Sequence, residues 1–188
     1  MKKPLLALCL LSASFITNAQ TDKGNWMVGG SLGSIAGQIA IGEPSYGGFG
    51  LSINPAAGYF VKNNLAVGAG IQLTPWIGDE FSFGYGIQPF VRRYFGKGLT
   101  KPFAEASAGY SGFISAEDGR PFFLTANVGS GLAYFITPNV ALESRLSVSA
   151  HSGSDWEYVA LMPAITVGFQ LHLQSLKRAK PQAAIEGE

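Results

Sequence analysis

Large apolar residues and small or polar residues alternate along most of the chain with a period of two. In "LAVGAGIQL", residues 65–73, large or apolar side chains hold the odd positions, and alanine, glycine and glutamine hold the even ones. Such alternation is typical of strands whose two faces meet different surroundings. It recurs in eight segments, which predict strands at residues 25–35, 48–60, 65–75, 81–95, 102–114, 122–135, 140–150 and 158–173.

The connections between these strands fall into two alternating kinds. The short ones, "VKNN", "GKGLTK" and "ITPN", contain three lysines, all in the first two, and no acidic residue. The four longer ones contain seven acidic residues and a single arginine. Short turns that alternate with longer loops are typical of outer-membrane barrels. The pattern therefore predicts an all-β fold, an eight-stranded antiparallel up-and-down transmembrane β-barrel.

A soluble barrel would show the same alternation with its faces reversed. In a lipid-carrier barrel the apolar face points inward, whereas in a membrane barrel it points outward. Here the less apolar face is mostly Gly, Ala, Ser, Asn and Gln, which suit a narrow lumen. Charged residues are only 13% of the chain, about half the usual fraction. These features favour the membrane barrel, with the soluble carrier as the alternative.

The N-terminus has the anatomy of a secretory signal peptide. Two lysines precede an apolar run at residues 5–16, and small residues lead to a cleavage site before Gln20. We predict a signal peptide at residues 1–19, a barrel domain at residues 20–173 and a polar periplasmic tail at residues 174–188. Cys9, the only cysteine, lies in the signal peptide, so neither a disulfide nor a cysteine-ligated metal is expected in the mature chain. The glycines recur at strand spacing and form no phosphate-binding motif, and no cofactor is expected.

Aromatic residues lie ten to twelve positions apart in four of the predicted strands. At ~3.3 Å per residue and ~45° tilt this spacing spans roughly 25 Å, the height of the apolar band of a membrane barrel. The spacing predicts eight membrane-interface aromatics: Phe49, Tyr59, Phe83, Tyr94, Phe103, Phe113, Phe122 and Tyr134.

Four charged residues fall on the lumenal face of the predicted strands: Arg92, Glu105, Glu143 and Arg145. A lone charge inside a narrow barrel costs several kcal/mol, so we expect these two acids and two bases to form a structural network. The alternative is a catalytic carboxylate pair, Glu105 and Glu143, as in glycoside hydrolases. A lumen filled with side chains would deny a substrate access to such a pair.

Other chemistry is possible at the strand ends and in the tail. The stretch "HSGSD", residues 151–155, holds the residue types of a nucleophilic triad, but sequence neighbours do not readily form that relay. His151 and His172 are predicted at opposite ends of the barrel, so they are not expected to share a metal ion. Divalent cations at the acidic loops, and anionic groups at the cationic tail residues 177–180, are alternatives to simple solvated surface.

The segments "SINPAAGYFVKNNLAVGAGI", "QPFVRRYF", "PFAEASAGY" and "LAYFITPNVALES" resemble the small outer-membrane β-barrel family of Gram-negative bacteria, the OmpA/OmpX-like class. The resemblance covers residues 25–173, and "TVGFQLHL" resembles the signal read by the barrel-insertion machinery. It implies an outer-membrane monomer with periplasmic termini, in contact with membrane lipids and lipopolysaccharide.

The function expected from these features is non-enzymatic, structural or surface-interacting, with any ligand bound by the outer loops. A narrow solute channel is the alternative, and a lipid-modifying barrel enzyme is less favoured. The net charge of +1 gives no reason to expect nucleic acid as a partner.

Overall fold

The computed structural model describes residues 18–38, 46–77, 81–114, 122–153 and 160–174. Within them a 3-10 helix (Asn18–Thr21) precedes eight strands: β1 (Trp26–Gln38), β2 (Tyr46–Lys62), β3 (Leu65–Ile77), β4 (Phe81–Tyr94), β5 (Thr100–Ile114), β6 (Phe122–Thr137), β7 (Val140–Gly153) and β8 (Ala160–Leu173). Each strand pairs antiparallel with the next, and β8 pairs with β1 to close the barrel. The predicted all-β, eight-stranded up-and-down architecture is confirmed. Across these residues, no helix is long and apolar enough to cross a membrane.

Several strands run further than the alternation alone predicted. Backbone pairing carries β1 to Gln38, β6 to Thr137 and β7 to Gly153, into segments predicted as loops. In β1 the register shifts between Leu32 and Ser34 on the β2 side, with a break at the same place on the β8 side. A bulge of this kind changes the phase of the alternation. It explains why the glycine-rich stretch "MVGGSLGSIAG", residues 27–37, shows no clear alternation.

The two ends of the barrel differ in their connections. The tight connections at residues 63–64, 95–99 and 138–139 lie at one end, together with Thr21 and Leu173, and we call this the turn end. Asn64 has a φ of 63°, the left-handed conformation that asparagine tolerates better than most residues. The connections of the opposite, loop end fall at residues 39–45, 78–80, 115–121 and 154–159. They lie outside the described residues, as do the seven acidic residues that they carry.

Large apolar side chains cover the outside of the barrel. Along β6 six large outward-facing residues are 50–62% exposed: Phe122, Leu124, Val128, Leu132, Tyr134 and Ile136. The distance from Phe122 to Tyr134 is roughly 28 Å along the barrel axis, at ~3.3 Å per residue and ~45° tilt. A continuous apolar surface of this height marks a face that is covered by another apolar phase.

The interior consists of two layers. Next to the turn end, large apolar side chains pack together and are at most 2% exposed: Met27, Phe60, Tyr94, Phe103 and Phe135. We call this layer the aromatic plug. Towards the loop end the interior is lined by charged, amide and hydroxyl side chains with small residues between them.

Two of the predicted membrane-interface aromatics, Tyr94 and Phe103, lie inside the barrel and belong to the aromatic plug. The prediction was wrong because it used the distance between aromatics and disregarded their parity. Tyr94 is eleven positions from Phe83, an odd number, so an unbroken strand places the two on opposite faces. Phe103 is two positions from Glu105 and therefore shares its lumenal face.

Candidate functional site in the barrel lumen

Arg92 is the centre of the lumenal charge cluster. It lies directly opposite Glu105 in the pairing of β4 with β5, and its Nε donates to Glu105 Oε2 at 2.6 Å. Its Nη1 donates to both carboxylate oxygens of Glu143, at 2.8 and 3.0 Å. One guanidinium therefore joins β4, β5 and β7 through two carboxylates, all three side chains being 7–8% exposed.

Arg145 completes the cluster from β7. Its Nη2 lies 3.1 Å from Glu105 Oε1 and also donates to Asn127 Oδ1 on β6. Glu143 and Arg145 share the lumenal face, but no described ion pair joins them to each other. Glu143 pairs with Arg92 of β4, and Arg145 pairs with Glu105 of β5. The structure thus brings the four predicted lumenal charges together as a chain of alternating sign.

The charge cluster rests on the aromatic plug. The guanidinium carbon of Arg92 lies 4.5 Å from the centroid of Phe103, within range of a cation–π contact. Tyr94 donates its hydroxyl to Glu143 Oε1 at 3.1 Å. Gly131 makes room for this arrangement, because a Cβ there would lie 2.6 Å from Phe103 Cζ. The lumenal glycines of β6 therefore admit side chains from the two neighbouring strands, Phe103 of β5 and Arg145 of β7.

A cavity of about 100 Å³ adjoins the charge cluster on its polar side. Its lining includes Asn54, Gln88, Arg92, Glu105, Glu143 and Arg145. Two buried polar atoms of its lining residues, Gln170 Oε1 and Arg145 Nε, have no partner among the described residues. A cavity of this size and polarity has room for several water molecules, which can satisfy such atoms.

The aromatic plug closes the other side of the cluster, and His172 packs against it. The imidazole of His172 is 1% exposed, and its ring centroid lies 5.0 Å from that of Phe135 and 5.7 Å from that of Phe60. Its Nδ1 bonds the carbonyl oxygen of Gln20 at 2.9 Å, so the N-terminal segment lies over the plug. Sequence reasoning placed His172 at one barrel end but missed its burial, because alternation gives the face of a residue and not its neighbours.

Of the other six predicted interface aromatics, four have described side chains, and two do not. Tyr59, Phe122 and Tyr134 are exposed on the outer surface, at 36%, 62% and 51%, and Phe83 is half-buried. The side chains of Phe49 and Phe113 lie outside the described part. Other outward-facing aromatics escaped prediction. They include Trp26, whose ring packs edge-on to that of Tyr59 with centroids 5.2 Å apart, Tyr110, which is 63% exposed, and Phe169, which is 43% exposed.

The predicted catalytic alternative at residues 151–155 is not assembled where the structure describes it. His151 bonds Thr125 Oγ1 at 3.2 Å through its Nδ1, and Thr125 in turn bonds Ser111 at 2.9 Å. Ser152, the next residue, is exposed on the opposite face of β7. Ser154 and Asp155 lie outside the described residues. Nor do the described histidines and acids form a group of three that could hold a metal ion.

No protein-family model and no curated protein matches this chain. Among solved structures, Neisserial surface protein A has a TM-score of 0.63 at 16% identity, over 79% of this chain and 97% of its own. Ail, the attachment invasion locus protein of Yersinia pestis, has a TM-score of 0.53 at 13% identity, over 80% and 99%. The outer membrane protein OprG from Pseudomonas aeruginosa has a TM-score of 0.51 at 10% identity, over 83% and 99%. At these identities the chain shares its fold with small outer-membrane barrels.

Proposed function

We propose that this protein is a non-enzymatic barrel of the outer membrane that holds its loop end at the cell surface for structural or binding roles. The observation that carries the proposal is the inverted polarity of the barrel. Large apolar residues cover the outside, whereas arginines, carboxylates and hydroxyls line the inside. In water this arrangement would be costly, and in lipid it is the stable one.

The orientation proposed for the barrel places the turn end in the periplasm. The short connections, which carry lysines and no acidic residue, belong to that end. The longer acidic connections belong to the loop end. Outer-membrane barrels have short periplasmic turns and longer extracellular loops. A signal peptide cleaved after Ala19 is part of the same proposal, because export must precede insertion.

Cysteine labelling tests this orientation cleanly, since the mature chain is expected to contain no cysteine. Asp118→Cys introduces a thiol in the connection at residues 115–121, and Lys97→Cys introduces one in the turn after β4. A membrane-impermeant maleimide should label the first variant in intact cells and the second only after lysis. Labelling of Lys97→Cys in intact cells, with Asp118→Cys protected, would overturn the orientation.

The lumen is closed next to the turn end, which argues against solute conduction. A narrow channel is the second candidate because a cavity lies beside the charge cluster. The aromatic plug and Gln20, however, lie between that cavity and the turn end. In planar bilayers we expect the purified protein to show no sustained conductance. Steady ion current from correctly folded protein would favour the channel instead.

A lipid-modifying activity would need an accessible nucleophile beside His151. Within the part of the chain that the structure describes, this histidine contacts the hydroxyl of Thr125, which is 1% exposed. We therefore expect His151→Ala to leave the lipid composition of the outer membrane unchanged. A change in the acylation of outer-membrane lipids on this substitution would contradict the non-enzymatic proposal.

A further inference from the structure

The N-terminal segment, residues 20–25, is built into the turn end of the barrel. Backbone hydrogen bonds join it to the β2–β3 hairpin: Gly24 N donates to Phe60 O at 2.9 Å, and Asn64 N donates to Thr21 O at 2.7 Å. From the lumen, Lys101 Nζ donates to Thr21 Oγ1 at 2.8 Å. These bonds hold the segment across the plug.

Gln20 lies against the turn-end face of the plug, and its side-chain amide is poorly satisfied there. It is 3% exposed, and its carbonyl oxygen accepts from Nδ1 of His172. Its side-chain amide nitrogen, Nε2, is buried with no hydrogen-bond partner among the described residues. Buried amide groups are nearly always paired, so an orphan at this position calls for an explanation.

Cleavage after Ala19, as the sequence predicts, makes Gln20 the first residue of the mature chain. Its α-nitrogen then becomes a primary amine, largely protonated at neutral pH. That ammonium would be buried next to Thr21, whose hydroxyl already accepts from the cationic Lys101. A second positive charge buried close to the Lys101 ammonium is costly, and the orphan amide adds a further cost on the same residue.

We propose that Gln20 is a modification site and carries pyroglutamate in the mature protein. The α-nitrogen attacks its own side-chain carbonyl carbon Cδ, and a five-membered lactam forms. The bond from Cδ to Nε2 breaks, and that nitrogen leaves as ammonia with the proton given up by the α-nitrogen. The step is intramolecular and needs no oxidant, reductant or second substrate.

The lactam removes both costs at once. Nε2, the unpartnered atom, is expelled, and the α-nitrogen becomes a neutral amide N–H. The backbone carbonyl oxygen that bonds His172 takes no part in the reaction, so the anchoring of the segment over the plug is kept. The chain would therefore enter the barrel with an uncharged end, and the cyclisation must precede burial.

Mass spectrometry of protein purified from outer membranes tests the site. After denaturation the protein is treated with an amine-reactive label and cut with chymotrypsin, which releases the peptide 20–26, "QTDKGNW". A pyroglutamate end predicts that this peptide is lighter than the unmodified sequence by one ammonia and carries a single label, on Lys23. A synthetic peptide of the same sequence, taken through the same steps, measures cyclisation caused by handling.

Gln20→Ala provides the matched variant, since alanine cannot cyclise. Its N-terminal peptide should carry two labels, one on Lys23 and one on the α-nitrogen, which shows that the label reaches this position. A wild-type peptide that begins at Gln20 with its ammonia retained and two labels overturns the proposal. A mature chain that begins at any other residue also overturns it, and leaves the barrel and its membrane location unaffected.

Discussion

Replacing Arg92 by methionine should strongly destabilise the barrel. Methionine keeps much of the apolar contact with Phe103 but removes the charge that holds Glu105 and Glu143. Glu105 retains Arg145 as a partner, whereas the hydroxyl of Tyr94 is the one contact that Glu143 keeps within the described ranges. The main loss is therefore the stranding of one carboxylate in a lumen where it is 8% exposed.

The expected loss in the free energy of unfolding is about 4 kcal/mol, because removing one partner of a buried ion pair costs about 3–5 kcal/mol. Glu143→Gln in the Arg92→Met background removes the stranded charge and should recover about 2 kcal/mol, a coupling typical of residues in direct contact. Arg93→Met is the control, since Arg93 follows on the outer face and is exposed. It should change stability by no more than about 1 kcal/mol near the membrane interface.

Urea titration in phospholipid vesicles measures these differences, with tryptophan fluorescence and gel migration as two independent signals of the folded state. If Arg92→Met lies within 1 kcal/mol of the wild type, or if Arg93→Met costs about as much, the cluster contributes no special stability. A double variant that is less stable than Arg92→Met alone would show that Glu143 is held by something other than this arginine.

Further substitutions test the outer and inner faces separately. Val128→Arg, at the middle of β6 on the outer face, should cost about 2–4 kcal/mol in vesicles, and Ile136→Arg, near the turn end, about 0–1 kcal/mol; equal costs at both depths would contradict a lipid-facing surface. Gly131→Val should lose about 1–3 kcal/mol by overpacking against Phe103, with Ser130→Val on the outer face as the control, and equal stability of the two variants would count against the close approach. Phe135→Ala should cost about 3–5 kcal/mol, as for truncation of other buried aromatics, and a smaller loss in urea titration would mean that the plug is loosely packed.

The alternation was enough to predict the number of strands, their order and the face of most side chains. It assigned Glu143 and Arg145 correctly to one face, because two residues apart means the same side of a strand. Their partners could not be derived in this way. Which carboxylate meets which guanidinium depends on the strand register and on the width of the lumen, and both come from closure of the whole barrel.

Packing inside the barrel was harder to predict than its faces. Phe103 was assigned to the membrane interface by its distance from other aromatics, although its parity already placed it with Glu105. The N-terminal segment at residues 20–25 has no periodicity to read, and its position depends on hydrogen bonds to the β2–β3 hairpin. Lys101 was assigned to a turn, yet its ammonium reaches inward to Thr21, because the strand starts earlier than its apolar pattern does.

The central claim is that this barrel lies in the outer membrane with its apolar face in lipid. Membrane fractionation followed by gel electrophoresis with and without heating tests it most directly. We predict that the protein is recovered with the outer membrane, resists extraction by salt and migrates differently before and after boiling. Recovery as a detergent-free, soluble monomer from the periplasm would contradict the claim.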